Sequence, residues 1–182
     1  MKCSSAFVGQ RDAATQLRAL FFCLVLPVSA CTGSNQSALD MDASAKGFVV
    51  VNEVYSSGND ALSDPDWVEL KNVGTAPIDL SAYRVRDEKT TAPLPSGTVI
   101  EPGKYLLIYC DDLPDGGASD RIHVPFKLGA QDAFSLLAGD GTTIDGVTWD
   151  TTMSSAGKSY GRLPDGTGQF LLLTPTQGVR NL

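Results

Sequence analysis

The run FVVVNEVY, residues 48–55, decides how the rest of this chain is interpreted. Six of its eight residues are β-branched or aromatic, and such residues favour the half-buried surface of a β-sheet. Alternate side chains of a strand share a face. The pattern therefore predicts two rows, one of Val50, Asn52 and Val54 and the other of Val49, Val51 and Glu53.

Similar short runs recur to the end of the chain, separated by turns rich in Gly, Pro and Asp. They are WVELKNV (67–73), IDLSAYRVRD (78–87), TVI (98–100), KYLLIYC (104–110), RIHVPFKL (121–128), KSYGRLP (158–164) and QFLLLTP (169–175). In residues 132–150 two such runs flank Gly139-Asp140-Gly141, and Asp-Gly is a strong hairpin signal. After residue 47 no segment keeps apolar spacing of three and four over ten residues. Eight or nine short strands in about 135 residues predict an all-β sandwich or barrel.

Three further features of these runs lead to local predictions. In WVELKNV, Val68, Leu70 and Asn72 are expected to face away from Trp67, Glu69 and Lys71. An Asn in such an apolar row is expected to bond the backbone of a turn, because a buried amide without partners costs roughly 1–3 kcal/mol. Pro125 predicts that its segment is an edge strand.

The first thirty residues have the order of an export signal. Lys2, Arg11 and Arg18 precede an apolar run over 19–28, and small residues follow. The run is too short to span a bilayer, which needs about 20 apolar residues. The tetrad VSAC (28–31) resembles a bacterial lipobox, in which the Cys becomes the acylated first residue. Ordinary cleavage to a secreted protein is the alternative to lipidation at Cys31.

Cleavage after residue 30 would leave a polar tether, residues 31–46, ahead of a domain over 47–182. Thr32 follows the Cys, and Asp at that place is a common inner-membrane retention signal, so the outer membrane is favoured. Two acyl chains would make the attachment to the membrane stable. Only Cys31 and Cys110 would remain, so the domain is expected to fold without an internal disulfide.

The acidity of the chain excludes one class of partner. The net charge is −7, and removal of residues 1–30 leaves 11 basic against 20 acidic residues, or −9. Because nucleic-acid binding needs clustered Lys and Arg, no nucleic-acid partner is expected.

The ordered set of motifs resembles a known family. VVVNEVY, DPDWVELKNVGTAPIDLSAYRVRD, LPSGTVIEPGKYLLIY, FKLGAQDAFSLLAGDGTTIDGVTWD and KSYGRLPDGTGQFLLLTPTQGVRN together resemble the bacterial lamin-tail domain over about residues 48–181. The resemblance implies an immunoglobulin-like β-sandwich and an interaction role. In bacteria such modules occur on secreted or surface proteins, alone or beside nucleases and other hydrolases, and no such enzyme accompanies this one.

An acidic cluster is the best candidate for binding chemistry. It consists of Asn59, Asp60, Asp64 and Asp66 in a loop, with Glu53 and Glu69 on the flanking strands. Calcium prefers six to eight oxygen ligands, which suggests a cation or ligand site here, although the spacing does not match an EF-hand. The alternative is a solvated loop, with Glu53 or Glu69 a strand-face residue that has a basic neighbour. A second acidic stretch, Asp111, Asp112 and Asp115, is a weaker candidate.

Residues that could act in catalysis are few. His123 is expected to be a partly exposed strand residue, and Cys110 a small buried hydrophobe. The nucleophile motif GxSxG is absent, and a single His excludes a multi-His metal site. The sequence therefore predicts a non-enzymatic, lipid-anchored envelope protein without a cofactor, whose domain presents a binding face to a protein, glycan or surface polymer. The alternative is a small secreted hydrolase or a calcium-dependent accessory factor that uses the acidic loop over 59–69.

Overall fold

The computed structural model of the chain describes residues 45, 47–56, 65–113, 121–153, 155 and 157–182. Twelve strands lie in these residues: β1 Val49–Tyr55, β2 Asp66–Asn72, β3 Ile78–Asp79, β4 Arg84–Arg86, β5 Thr91–Pro93, β6 Val99–Ile100, β7 Tyr105–Cys110, β8 Ile122–Val124, β9 Asp132–Leu137, β10 Thr143–Trp149, β11 Ser159–Leu163 and β12 Gln169–Leu173. The described residues form no helix, so none that could cross a membrane is found among them.

The strands form two large sheets and one small one. The six-stranded sheet has the order β12-β11-β1-β2-β7-β8, the four-stranded sheet has the order β10-β9-β4-β5, and β3 pairs with β6. All neighbours are antiparallel except β7 and β8. One hydrophobic core contains side chains from both large sheets, including Val51, Leu70 and Ile108 from the first and Val85 and Phe134 from the second. The predicted all-β, immunoglobulin-like sandwich is confirmed.

Several predicted elements are found where the pattern placed them. The hairpin over 132–150 is formed by β9 and β10. Gly141 lies in the turn between these two strands and has a positive φ of 88°, a conformation that favours glycine. The two last runs form the β11–β12 hairpin. The segment before Pro125 is β8, an edge strand of the six-stranded sheet.

The strand number exceeds the predicted eight or nine. One predicted run is divided into two strands, and β5, Thr91–Pro93, lies in a segment that was not predicted to be a strand. IDLSAYRVRD becomes β3, which pairs with β6, and β4, which joins the four-stranded sheet. The Asp79 carboxylate accepts hydrogen bonds from the backbone N–H and the hydroxyl of Ser81. These bonds bend the chain between β3 and β4. Strands of two or three residues are too short for their alternation to be visible in a sequence.

The predicted rows of β1 are wrong beyond Val51. The register with β2 shifts between Val51 and Glu53, so a β-bulge interrupts the alternation. Val54 therefore lies in the hydrophobic core with Val49 and Val51, whereas Glu53 does not. The bulge leaves two consecutive polar residues, Asn52 and Glu53, fully buried at the centre of the sheet.

The alternation of β2 is confirmed. Val68 and Leu70 lie in the core, and Trp67 on the other face stacks on Tyr55 with ring centroids 5.6 Å apart. Asn72 bonds the turn backbone as predicted, since its Nδ2 donates to the carbonyls of Ala76 and Ile100, both at 2.8 Å. Its Oδ1 accepts from the N–H of Gly74 at 2.8 Å. This one amide therefore connects the turn after β2 to β6.

Asn72→Ala tests that connection. The substitution leaves one N–H and two carbonyls without their partner, and we expect the free energy of unfolding to fall by about 2–3 kcal/mol in urea denaturation. Thr75→Ala, at an exposed position of the same turn, is the control and should change stability by less than about 0.5 kcal/mol. Equal stability of the two variants would show that Asn72 does not hold the turn.

Candidate functional site

Two glutamates of the predicted acidic cluster lie side by side inside the protein. Glu53 on β1 is directly opposite Glu69 on β2 in the antiparallel register, and both side chains are fully buried. Burial of a charge is costly unless it is paired and hydrogen-bonded. The partners of these two carboxylates therefore determine what the site can do.

The C-terminal segment, residues 174–182, supplies donors to both glutamates. The N–H of Gly178 donates to Glu69 Oε2 at 2.7 Å. Thr176 donates to Glu53 twice, from its N–H to Oε1 at 3.1 Å and from its hydroxyl to Oε2 at 2.8 Å. The hydroxyl of Ser159 on β11 also donates to Glu53. The carboxylates thus hold the C-terminal segment against the face of the six-stranded sheet.

Asn52 links this pair to a third carboxylate. Its Nδ2 lies 2.9 Å from Glu69 Oε1 and 3.0 Å from Asp165 Oδ1, and its Oδ1 accepts from the N–H of Gly166 at 2.8 Å. The bulge directs this amide toward the turn between β11 and β12. Asn52 therefore meets the expectation that a buried Asn bonds a turn, although the turn is 114 residues away.

Asp165 carries the ion pair of the site. It pairs with Lys71, and it accepts from the Tyr105 hydroxyl at 2.9 Å. The expectation that Glu53 or Glu69 pairs with a basic neighbour is wrong, because the partners described for both are uncharged and Lys71 pairs with Asp165 instead.

Asn181 completes the network. Its Nδ2 donates to the backbone carbonyls of Asn52 at 3.3 Å and Arg162 at 3.0 Å, and its N–H donates to Asp165 at 3.3 Å. We call the set the carboxylate network: Asn52, Glu53, Glu69, Lys71, Tyr105, Ser159, Asp165, Thr176, Gly178 and Asn181.

The pKa values of the three carboxyls diverge. Burial raises the pKa of Glu69 to about 7, against the opposing hydrogen bonds from Asn52 and Gly178. Burial also raises the pKa of Glu53. Burial also acts to raise the pKa of Asp165, but the hydrogen bonds from Lys71, Asn52 and Tyr105 outweigh this effect, and the pKa of Asp165 is lowered. The network therefore keeps Asp165 ionised and favours a proton on Glu69 near neutral pH.

The predicted cation or ligand site is only partly described. Asn59, Asp60 and Asp64 lie outside the described residues, as do Cys31 and Asp115. Asp66 begins β2 and accepts from the N–H of Leu128 at 3.2 Å, away from the Glu53–Glu69 pair. Within the described residues no group of three or more His, Cys, Asp or Glu side chains is arranged to hold a metal ion. The site as a whole stays a prediction.

His123 and Cys110 occupy the environments predicted for them. His123 lies partly exposed on β8, with Nδ1 2.7 Å from the Asp111 carboxylate and its ring stacked on Tyr109. Cys110 is buried, and burial raises the pKa of its thiol well above the ordinary value, which disfavours the nucleophilic thiolate.

The residues that sequence reasoning missed come from the end of the chain. Asp165, Thr176, Gly178 and Asn181 lie in turn-like sequence, and the bond from Thr176 to Glu53 joins residues 123 positions apart.

A row of rings across four strands was also missed: Tyr55, Trp67, Tyr109 and His123 are successive register partners on β1, β2, β7 and β8. Only the register between strands brings these rings together, and the bulge in β1 sets the part of it that places Tyr55 opposite Trp67.

The raised pKa of Glu69 predicts a pH-dependent stability. Between about pH 4.5 and about pH 7 the Glu69 carboxyl keeps its proton in the folded chain but has lost it in the unfolded chain. The free energy of unfolding should therefore decrease by about 3 kcal/mol as pH rises through this range. Glu53 acts in the same direction, whereas the stability contributed by Asp165 is lost only as pH falls through its lowered pKa.

Glu69→Gln should flatten this dependence, because an amide does not titrate. Urea denaturation at a series of pH values measures the slope, and Glu88→Gln at an exposed position is the control. A slope unchanged by Glu69→Gln would mean that Glu69 is not the group that titrates.

The comparison with protein families agrees with this architecture. A family model described as Lamin Tail Domain matches residues 42–151, which include β1 to β10 and more than half of the 182 residues. The search of curated proteins finds no match. The strands β11 and β12 and the C-terminal segment follow the matched region but belong to the same six-stranded sheet and carboxylate network. The chain belongs to the Lamin Tail Domain family.

Proposed function

We propose that this chain is a bacterial cell-envelope lipoprotein whose Lamin Tail Domain is a non-enzymatic binding or structural module. Cys31 is the lipid attachment point, residues 31–46 are the tether, and the sandwich presents a face to a protein, glycan or surface polymer. The observation that carries the proposal is the tetrad VSAC at 28–31, placed between an apolar run and a polar stretch.

The spacing from Cys31 to the sandwich supports the anchoring role. The first strand begins at Val49, eighteen residues after Cys31 in the sequence. If this stretch acts as the flexible tether proposed, its r.m.s. end-to-end distance would be about 25 Å. The tether would therefore keep the module close to the membrane while allowing it to reorient toward a ligand. Because Thr32 follows the Cys, the outer membrane is the favoured location.

The surroundings of the reactive side chains support a role in binding. Glu53 and Glu69, a pair that could act as acid and base, bond the C-terminal segment and are fully buried. Cys110 is buried as well, and His123 is held by Asp111. The net charge of −9 after cleavage argues against a nucleic-acid partner.

The alternative function, a secreted hydrolase or calcium-dependent accessory factor using residues 59–69, depends on Asp60 and Asp64. Both lie outside the described residues. The two flanking glutamates, which would complete such a site, bond Ser159, Thr176 and Gly178. The described geometry therefore favours the binding module.

Metabolic labelling with a lipid-precursor analogue tests the anchor in cells that express the full chain. The unaltered chain and the Cys23→Ala control should take up label and sediment with membranes, whereas Cys31→Ala should lose both properties completely. Label on Cys31→Ala would contradict the proposal. An unlabelled but secreted unaltered chain would show ordinary cleavage instead of lipidation.

A further inference from the structure

The four outer edges of the two large sheets differ in how they are protected against further strand pairing. Natural edges are blunted by proline, charge, bulges or short length, because an exposed edge offers unpaired N–H and C=O groups to another strand. The outer strands here are β5, β8, β10 and β12. Comparison of these four shows which edge is open.

Three of the edges carry such protection. β5 has three residues and includes Pro93, and β8 has three residues and is followed by Pro125. β10 has a register shift between Thr143 and Asp145, and the Asp145 carboxylate accepts from the N–H of Val51 in the facing sheet at 2.8 Å. Each of these features hinders the addition of a strand.

The edge formed by β12 has none of these features. Its five residues, QFLLL (169–173), pair with β11 in an uninterrupted register and include neither proline nor charge. Leu171 and Leu172 are each 47% exposed. Because successive residues of a strand point to opposite faces, apolar surface is exposed on both sides of the edge. Within the described part of the chain, β11 is the one strand that pairs with β12.

We propose that β12 pairs antiparallel with β12 of a second copy of this chain, which joins the two six-stranded sheets into one. A two-fold axis brings a strand antiparallel against itself, so any charge on this short strand would lie close to the same charge on the second copy. The chain is uncharged from Gly166 to Val179, although its net charge is −7. This edge is therefore suited to self-pairing, whereas the acidic remainder of the chain disfavours contact between other faces.

The pairing satisfies the open backbone groups and covers both leucines. On the inner side, β12 already pairs with β11, where Leu171 is opposite Gly161 and Leu172 is opposite Tyr160. The outer side of the two leucines is therefore the side that a second copy would cover. Five residues from each copy form a small interface, and the association is accordingly concentration-dependent. It does not depend on the lipid anchor.

Site-directed cross-linking of the full chain tests the proposal. Leu171→Cys is treated with a short bis-maleimide over a range of protein concentrations, and thermal unfolding confirms that the fold is retained. We expect a species of twice the chain mass, in which the cross-linked peptide joins residue 171 of two copies. Thr91→Cys, on β5 at the edge of the four-stranded sheet, is the matched control and should remain at the background of the unaltered chain.

A charged substitution on the β12 edge gives a second test of the pairing. Adding Leu172→Lys to Leu171→Cys should reduce the dimer yield roughly tenfold without loss of folding, because the site is half-exposed and the lysines of the two copies would lie close together on one face and repel. Thr91→Lys, added in the same way, should leave the yield unchanged. Equal cross-linking at residues 91 and 171, a monomer at every concentration, or a product with a different protein in place of the dimer would overturn the proposal.

Discussion

The burial of two glutamate carboxyl groups beside a bulge is the constraint on which the rest of the six-stranded sheet depends. The bulge in β1 directs Asn52 and Glu53 away from the apolar core, and Glu53 then lies opposite Glu69. Removal of such groups from water is costly unless hydrogen bonds replace the hydration. The replacement comes in part from Ser159, Thr176 and Gly178, so the first hairpin depends for its stability on the last 24 residues of the chain.

This dependence gives the region beyond the family match a structural role. β11 lies between β12 and β1, and the turn after β11 supplies Asp165 and Gly166 to Asn52. The C-terminal segment then crosses the sheet and donates to both glutamates. The glutamates that could have been catalytic or metal-binding therefore serve the fold. Among the described residues, the open edge at β12 exposes apolar side chains that a binding role could use.

The sequence predicted the fold better than the network, for a physical reason. Strand patterns such as FVVVNEVY and turn signals such as Asp140-Gly141 are local, and they led to the sandwich, the hairpins and the β8 edge. The bulge after Val51 leaves no local signal, and its effect is to exchange the faces of Glu53 and Val54. Glu53 and Glu69 were singled out as acidic residues of interest. Their partners were missed because Thr176 and Gly178 are 123 and 109 residues away.

Removal of residues 174–182 from the full chain tests the central claim most directly, because all twelve strands are retained while the donors Thr176, Gly178 and Asn181 are lost. The free energy of unfolding should be compared with that of the complete chain by urea denaturation at one pH. The account predicts a loss of about 3–5 kcal/mol, since two buried carboxyls lose the hydrogen bonds from Thr176 and Gly178. A shortened chain as stable as the complete one, within about 0.5 kcal/mol, would contradict it.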